Sequence, residues 1–231
     1  MKLILKSLLL SASLCSSLAL ANTEAHQDYL KGTAYLNQDN YKDAITWLTS
    51  AANNGSIEAQ NKIGVMYAKG IGTDVNTHLA IQYFTKAAKN ESSMAYYNLG
   101  KVYESQNKFT TATNWYNKAI EMNNSNAMNN LADLYLQGKG LVQNTNQAEL
   151  LYVQAAELGN ATSMRNLGFL YFKGIEVKQD MEKAYFWFNL AAAKAYSEAD
   201  TYRDFTGEKL YKTQRISVQN DVLEWLEEHS K

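Results

Sequence analysis

Few of the 231 residues are of types that make or break covalent bonds. His26, His78 and His229 stand far apart in the chain, and none has a second imidazole at a metal-ligand spacing, so each reads as a solvated residue. Ser105 and Lys108 have the S-x-x-K spacing in which a lysine can take the proton of a nucleophilic serine. The companion motifs S-D-N and K-T-G are missing, since Lys212-Thr213 is followed by Gln214, and Ser105 is expected in a short turn. Gly70-Ile71-Gly72 and Gly138-Lys139-Gly140 fit neither the Walker nor the dinucleotide-binding spacing. Glu224, Glu227 and Glu228 share one helical face, and so do Asp200 and Asp204; a solvated face explains both groups. No catalytic, cofactor or metal site is expected.

What the chain does offer is recognition chemistry. Side chains at i and i+4 recur six and two positions before a repeated tyrosine: Tyr29/Thr33, Asn61/Val65, Tyr97/Lys101, Asn129/Asp133 and Arg165/Phe169. On helices these positions lie off the face that carries the tyrosine, so they are expected to line a concave groove. Amides at 61 and 129 can bond an extended backbone, while Tyr97, Lys101, Asp133, Arg165 and Phe169 can anchor side chains. The alternative is an ordinary solvated groove. Because the fold is not expected to need these residues, replacing Asn61, Tyr97, Asn129 and Arg165 together is expected to spare stability.

The elements that must carry these residues are visible as two ladders. The first is Gly-x-x-Tyr, at Gly32/Tyr35, Gly64/Tyr67, Gly100/Tyr103 and Gly168/Tyr171, with Ala132/Tyr135 as a variant. The second is Ala, an apolar pair three and four residues on, and small residues at seven and eight, which is a helix stripe. It starts at Ala44, Ala80, Ala112, Ala148 and Ala184, with the pairs Trp47-Leu48, Tyr83-Phe84, Trp115-Tyr116, Leu151-Tyr152 and Trp187-Phe188. The ladders are separated by 9 residues in copies one and three and by 13 in the others. The extra four carry glycine, predicted to end the first helix in a left-handed cap. Asp74 and Asp180 are expected to cap the second helices. Small residues admit close helix approach, and the aromatics, Trp115 among them, are expected to fill the space between neighbouring pairs.

Composition agrees with helices throughout. There are no prolines, and 46% of residues are hydrophobic. With 22 basic against 23 acidic residues there is no electrostatic case for nucleic acid. Lys2 and Lys6 precede an apolar run to Leu20, and Ala19-Leu20-Ala21 has the small-x-small pattern of signal-peptidase cleavage, so residues 1–21 read as a signal peptide. The run is too serine-rich for a comfortable membrane span, and Leu14 before Cys15 argues against a lipidated cysteine. Cleavage leaves 20 basic residues, no thiol and no further membrane span. The remaining chain divides into a repeat domain, 22–199, and a terminal segment, 200–231. In the latter, Leu210, Ile216, Val222, Leu223, Trp225 and Leu226 are expected to form the apolar stripe of a capping helix, with a partner-docking helix as the alternative.

These residues resemble the Sel-one-like repeat, a relative of the tetratricopeptide repeat. Copy four carries the pattern most fully, from Ala127 through Leu131, Tyr135, Gly138, Gly140, Val142, Ala148, Tyr152 and Ala155-Ala156 to Gly159. Copies two and five also match, whereas copies one and three look like plain tetratricopeptide units. The resemblance implies an all-α, right-handed α-solenoid of about five helix pairs with a C-terminal capping helix. It also implies a non-enzymatic periplasmic or secreted adaptor whose partner is another protein or peptide segment, with no small-molecule cofactor. Two rivals are an immunity protein that neutralises a secreted toxin, such as a phospholipase or cell-wall hydrolase, and a β-lactamase-like cell-wall enzyme. The second is disfavoured, because the paired cysteines of relatives carrying that label are absent.

Overall fold

The computed structural model describes residues 23–174, 177–196 and 198–229; the proposed signal peptide lies outside them. Helices and turns account for the described residues. They form two compact units, one ending at Val102 and the other beginning at Tyr103.

The first unit contains α1 (23–36), α2 (Tyr41–Asn53), α3 (Ile57–Lys69), α4 (Thr77–Ala88) and most of α5 (Ser93–Ser105). The second holds the end of α5 and then α6 (Phe109–Ile120), α7 (Ser125–Gln137), α8 (Thr145–Glu157), α9 (Ala161–Lys173), α10 (Met181–Ala193), α11 (Ala199–Glu208) and α12 (Lys212–Glu228). Within each unit, consecutive helices such as α3 and α4, α7 and α8, or α9 and α10 pack side by side.

The ladders become the core. Ala44, Ala80, Ala112, Ala148 and Ala184 are fully buried, because no larger side chain fits where two helix axes come closest. The same closeness explains the first ladder's glycines. A methyl group built on Gly64 would lie 2.6 Å from the Phe84 ring, and one on Gly168 would lie 2.6 Å from the Phe188 ring. The aromatic thus rests on the glycine of its own helix pair, not only between neighbouring pairs. The second correction concerns which aromatic is inside. The residue four beyond the ladder alanine (Leu48, Phe84, Tyr116, Tyr152, Phe188) is sealed in every copy, while Trp47, Tyr83 and Trp115, one position earlier, are half-buried. A lysine ammonium covers each of these three rings, at 4.1 Å for Lys31 on Trp47, 5.0 Å for Lys86 on Tyr83 and 4.6 Å for Lys118 on Trp115. One residue is about 100° of helix rotation, enough to move a ring from the seam to its rim.

Both turn lengths reach the same junction. The carbonyl of the ladder tyrosine accepts the backbone N–H at the start of the next helix in all five copies: Asn40 to Tyr35, Asn76 to Tyr67, Lys108 to Tyr103, Asn144 to Tyr135 and Asp180 to Tyr171, at 2.8–3.1 Å. The four extra residues therefore loop outward without moving the helix start. Gly70, Gly138 and Gly174 end their helices in the left-handed conformation, as expected. Gly72 also has φ +68, and a methyl there would lie 2.1 Å from Tyr41 Cβ, so the loop is seated on the start of α2.

Helix starts use short polar caps in place of proline. The side chains of Asn40, Asn76, Asn124, Asn144 and Asn160 each accept a backbone N–H of the first turn, as do Ser56 and Asp180. Asp180 fills the role expected of it, but Asp74 does not: Asn76, two residues later, caps α4. His78, expected in a turn, lies in the first turn of α4 and is 3.0 Å from Gln82 Nε2. Ser105 closes α5 instead of lying in the turn beyond it.

The terminal segment is two helices instead of one. On α11, Tyr202 sets its ring edge-on to Phe169 at 4.5 Å and stacks with Phe188 at 5.5 Å. Val218 and Val222 of α12 are buried, Trp225 meets Trp187 edge-on at 6.5 Å, and Gln219 Nε2 donates to the Tyr185 hydroxyl at 3.1 Å. The stripe therefore runs through 218, 222 and 225, and Ile216 and Leu223, which were expected on it, are exposed. Asp200 and Asp204 are the ion-pair partners of Arg203, at 2.7 and 2.8 Å.

Candidate functional site: a cleft lined by α7, α8, α9 and α11

Three of the five i/i+4 pairs of the first helices meet, each by its own chemistry. Lys101 Nζ lies 5.7 Å from the centre of the Tyr97 ring, Asn129 Nδ2 donates to Asp133 Oδ2 at 3.2 Å, and the Arg165 guanidinium lies 5.5 Å from the centre of the Phe169 ring. Tyr29 has Lys62 Nζ at 5.9 Å, and Thr33 Oγ1 donates to the Leu30 carbonyl at 2.9 Å. Val65 is half-buried.

In the first unit, Asn61 is half-buried. Its amide donates to the Ile57 carbonyl at 3.1 Å and to Ser92 Oγ at 3.0 Å, and its side-chain oxygen is enclosed with no acceptor role filled. Tyr97 is half-buried and Lys101 is exposed.

In the second unit, Asp133, Arg165 and Phe169 come together on one cleft of about 680 Å³. Its polar wall is Asp133, Tyr152 and Asn166, with Arg165 above; Leu136, Phe172 and Tyr202 supply much of the apolar surface. Asn129 is not a groove residue. It is 7% exposed and lies beneath the polar wall as its central acceptor and donor. Its Oδ1 accepts from Ser163 Oγ at 3.0 Å and from Asn166 Nδ2 at 3.1 Å, while its Nδ2 reaches Asp133 and, at 3.4 Å, Asn130 Oδ1. The expectation that this residue lies off the buried face fails because the next helix pair, through Ser163 and Asn166, closes over it.

The network continues outward through buried tyrosines. Tyr152 donates its hydroxyl to Asp133 Oδ1 at 2.5 Å, Asn130 Nδ2 donates to the Tyr116 hydroxyl at 3.1 Å, and Tyr116 donates to Glu104 Oε2 at 2.5 Å. Burial pushes the Asp133 carboxyl above the ordinary carboxylate range, although the Tyr152 hydrogen bond opposes it, and burial likewise raises the Tyr152 phenol. Tyr152 is therefore a donor that holds Asp133 in place, not a base.

Arg165 is held by neutral contacts, and Asp133 acts on its charge only through space. One terminal nitrogen donates to Asn166 Oδ1 at 3.2 Å, its central carbon lies 5.3 Å from the Tyr196 ring centre, and its Nε is enclosed without an acceptor. Among the described residues it makes no ion pair. Lys173 approaches the Phe169 ring at 5.4 Å, so two cations flank one ring.

Sequence reasoning missed Tyr152, Ser163, Asn166, Lys173 and Tyr202 as parts of this site. As a rung of the second ladder, Tyr152 signals only a packed ring. Asn130 and Asn166, at equivalent positions of successive repeats, were a signal of a polar seam. Among the described residues no group of three or more His, Cys, Asp or Glu side chains gathers in a metal-holding arrangement, and no helix is long and apolar enough to cross a membrane. Ser105 and Lys108 are exposed, and the Lys108 ammonium lies over the Tyr103 ring at 5.8 Å, an arrangement that does not activate a serine.

Comparison with known proteins follows the same segmentation. The Sel1 repeat matches residues 20–56, 57–92, 125–160 and 161–196, and the tetratricopeptide repeat matches 93–126. Copy three is thus tetratricopeptide-like as expected, while copy one, despite its short turn, is a Sel1 repeat. A sel1-like repeat-containing protein of Acanthamoeba polyphaga mimivirus is 36% identical over 99 residues, 42% of this chain and 18% of that one. A protein of Neisseria meningitidis serogroup B is 30% identical over 125 residues, 53% of this chain and 27% of that one, so the chain spans a minor part of both curated relatives. Among solved structures, a protective antigen of uropathogenic Escherichia coli with an SLR fold superposes with a TM-score of 0.77 at 26% identity, covering 89% of this chain and 46% of the antigen. A Sel1 repeat protein from Oxalobacter formigenes gives 0.64 at 30% identity, covering 88% and 82%. An immunity protein of Pseudomonas aeruginosa gives 0.52 at 16% identity, covering 78% and 75%, a likeness of fold alone. The all-α helix-pair solenoid class expected from the ladders is the class of these structures.

Proposed function

Since the chain belongs to the Sel1 repeat family, whose members generally mediate protein–protein interaction, we propose that it is a non-enzymatic adaptor that holds a segment of another protein in the α7–α8–α9–α11 cleft. The observation that carries this reading is the pairing of a mostly apolar cleft of about 680 Å³ with an arginine that makes no ion pair among the described residues and whose Nε has no acceptor. Clefts of this size with few, fixed polar groups are recognition sites, and tyrosine, arginine and phenylalanine are residues that dominate interface energy. The cleft is open enough for a chain segment, and its polar wall is pre-ordered by the Asn129 network, so little rotamer freedom remains to be lost on binding.

Export is part of the proposal, on the strength of the Lys2/Lys6 start and the Ala19-Leu20-Ala21 site. An exported product beginning at Asn22, read by intact mass, is the expected result. Retention of residues 1–21 would refute it. The cleft itself is tested by Leu136→Trp, which fills it from α7. Affinity capture from periplasmic extract should lose the retained partner with this variant while the melting temperature stays within a few degrees. Unchanged capture would place the interface elsewhere.

A narrower form of the reading makes the partner a secreted toxin. Its motive is the Pseudomonas aeruginosa immunity protein among the structures of like fold. Protection of cells against a toxin encoded beside this chain would support it, and growth arrest despite co-expression would remove it.

A further inference from the structure

We propose that the cleft selects a carboxylate next to a bulky apolar side chain, and that its occupant is an acidic segment of a partner protein with Arg165 as the principal anchor. This rests on the reading of the cleft as a protein-binding site and specifies the chemistry it recognises.

Charge is left over in the cleft after the pairings among the described residues are made. Among the described residues Asp133 is the one carboxylate lining the cleft, and both of its oxygens are occupied, Oδ1 by the Tyr152 hydroxyl and Oδ2 by the Asn129 amide. Its hydrogen bonds are therefore made within the fold, and Arg165 attracts it only through space, without an ion-pair contact. Arg165 and Lys173 face it from α9, and among the described residues neither has an ion-pair partner. A guanidinium carries five N–H donors, and the structure assigns one of them, to Asn166. Among the described residues, two cations against one carboxylate with both oxygens hydrogen-bonded leave the cleft positive. It therefore disfavours a lysine or arginine of a partner and favours an anion.

The shape of the cationic group narrows the anion. A planar guanidinium pairs best with a planar carboxylate through two parallel hydrogen bonds. Here its central carbon lies 5.5 and 5.3 Å from the centres of the Phe169 and Tyr196 rings and one terminal nitrogen is hydrogen-bonded to Asn166, so the group is positioned before anything binds. The remaining wall is apolar, with Leu136, Leu170 and Phe172 beside Phe169 and Tyr202. A small inorganic anion would leave that surface wet. A glutamate or aspartate followed or preceded by a phenylalanine- or leucine-sized side chain satisfies both parts at once.

A carboxylate can come from a side chain or from a chain terminus, and the probes separate the two. The ¹⁵N-labelled full chain is titrated with three peptides: acetyl-Gly-Glu-Phe-Glu-Gly-amide, the same peptide with Gln for Glu, and acetyl-Gly-Gln-Phe with a free terminal carboxylate. The expected result is saturable shifts at Arg165, Phe169, Lys173 and Tyr202 with the Glu peptide, and affinity about tenfold lower for the Gln peptide. Arg165→Gln should lower affinity for the Glu peptide by about tenfold, and Arg165→Lys, which keeps the charge but not the plane, should give an intermediate loss. Rising salt should weaken the Glu peptide and leave the uncharged Gln peptide nearly unchanged. Equal binding of the Glu and Gln peptides, or Glu-peptide binding unchanged by Arg165→Gln, overturns the proposal while leaving the cleft a peptide site. Preference for the free terminus overturns the side-chain assignment. Absence of shifts at the cleft with every peptide at millimolar concentration overturns both this inference and the function on which it rests.

Discussion

Replacing Asn129 by alanine is the most informative single change, because its side chain joins two repeats and supports the cleft from below. The truncation removes the acceptor for Ser163 Oγ and Asn166 Nδ2 and the donor to Asp133 Oδ2. An orphaned buried polar group costs about 1–3 kcal/mol, but the three are not equal. Ser163 is fully buried, although its hydroxyl can turn to a carbonyl one helical turn back at small cost. Asn166 and Asp133 are half-buried and face the cleft, where water can replace the lost partner. The sum expected is about 2–4 kcal/mol rather than three full penalties. Urea denaturation with an unchanged slope is the assay, so that the midpoint alone reports stability. Ser163→Ala in the same background should cost less than it does alone, with a coupling of about 1 kcal/mol between the two sites. Asn61→Ala is the control: it removes an oxygen that has no partner together with two donated bonds, to the Ile57 carbonyl and to Ser92 Oγ, which still accepts from the Ala95 N–H, and the change should stay under about 1 kcal/mol. A loss below about 0.5 kcal/mol for Asn129→Ala, within the range of surface substitutions, would refute the network. The expectation that alanine at 61, 97, 129 and 165 leaves stability intact is thereby replaced: Asn129 must be left out of any variant meant to test binding alone.

Gly168→Ala should cost about 1–3 kcal/mol in the same assay, since its methyl meets the Phe188 ring at 2.6 Å, and Phe188→Leu in the same chain should recover part of the loss. Tyr116→Ala should cost about 3–5 kcal/mol and Trp115→Ala about 1–2, because the first ring is sealed and the second lies at the rim; equal losses would put the register one residue out. Asp133 has its folded-state pKa raised by burial, so the native chain binds more protons than the unfolded one just above the ordinary carboxylate pKa, and this contribution to stability falls as pH rises through the folded value. The melting temperature of the natural chain minus that of Asp133→Asn should therefore be greater near pH 4 than near pH 7, and a constant difference would show that the carboxyl titrates normally. Deleting the chain from Thr213 uncovers Trp187 and Tyr185, which should lower the melting temperature by several degrees if α12 is a cap; loss of partner binding at unchanged melting would make it a docking helix.

The residues that sequence alone placed correctly are those whose role follows from one helix and its period. The five ladder alanines are buried because a stripe at three, four, seven and eight can face only inward, and Gly70, Gly138 and Gly174 end helices because a left-handed residue without a side chain is needed there. The leftover questions all turned on a second surface. Trp115 and Tyr116 are both apolar and one residue apart, and only the helix that packs against them decides which ring is sealed. Asn129 has the pattern of an exposed position on α7; it is buried because Ser163 and Asn166 arrive from α9. Asp74 and Asn76 are both able to cap a helix, and the Tyr67 carbonyl selects the second by fixing where α4 begins. Periodicity records the direction a side chain takes from its own axis, whereas burial, pairing and the charge left on Arg165 depend on what the neighbouring helix brings to meet it.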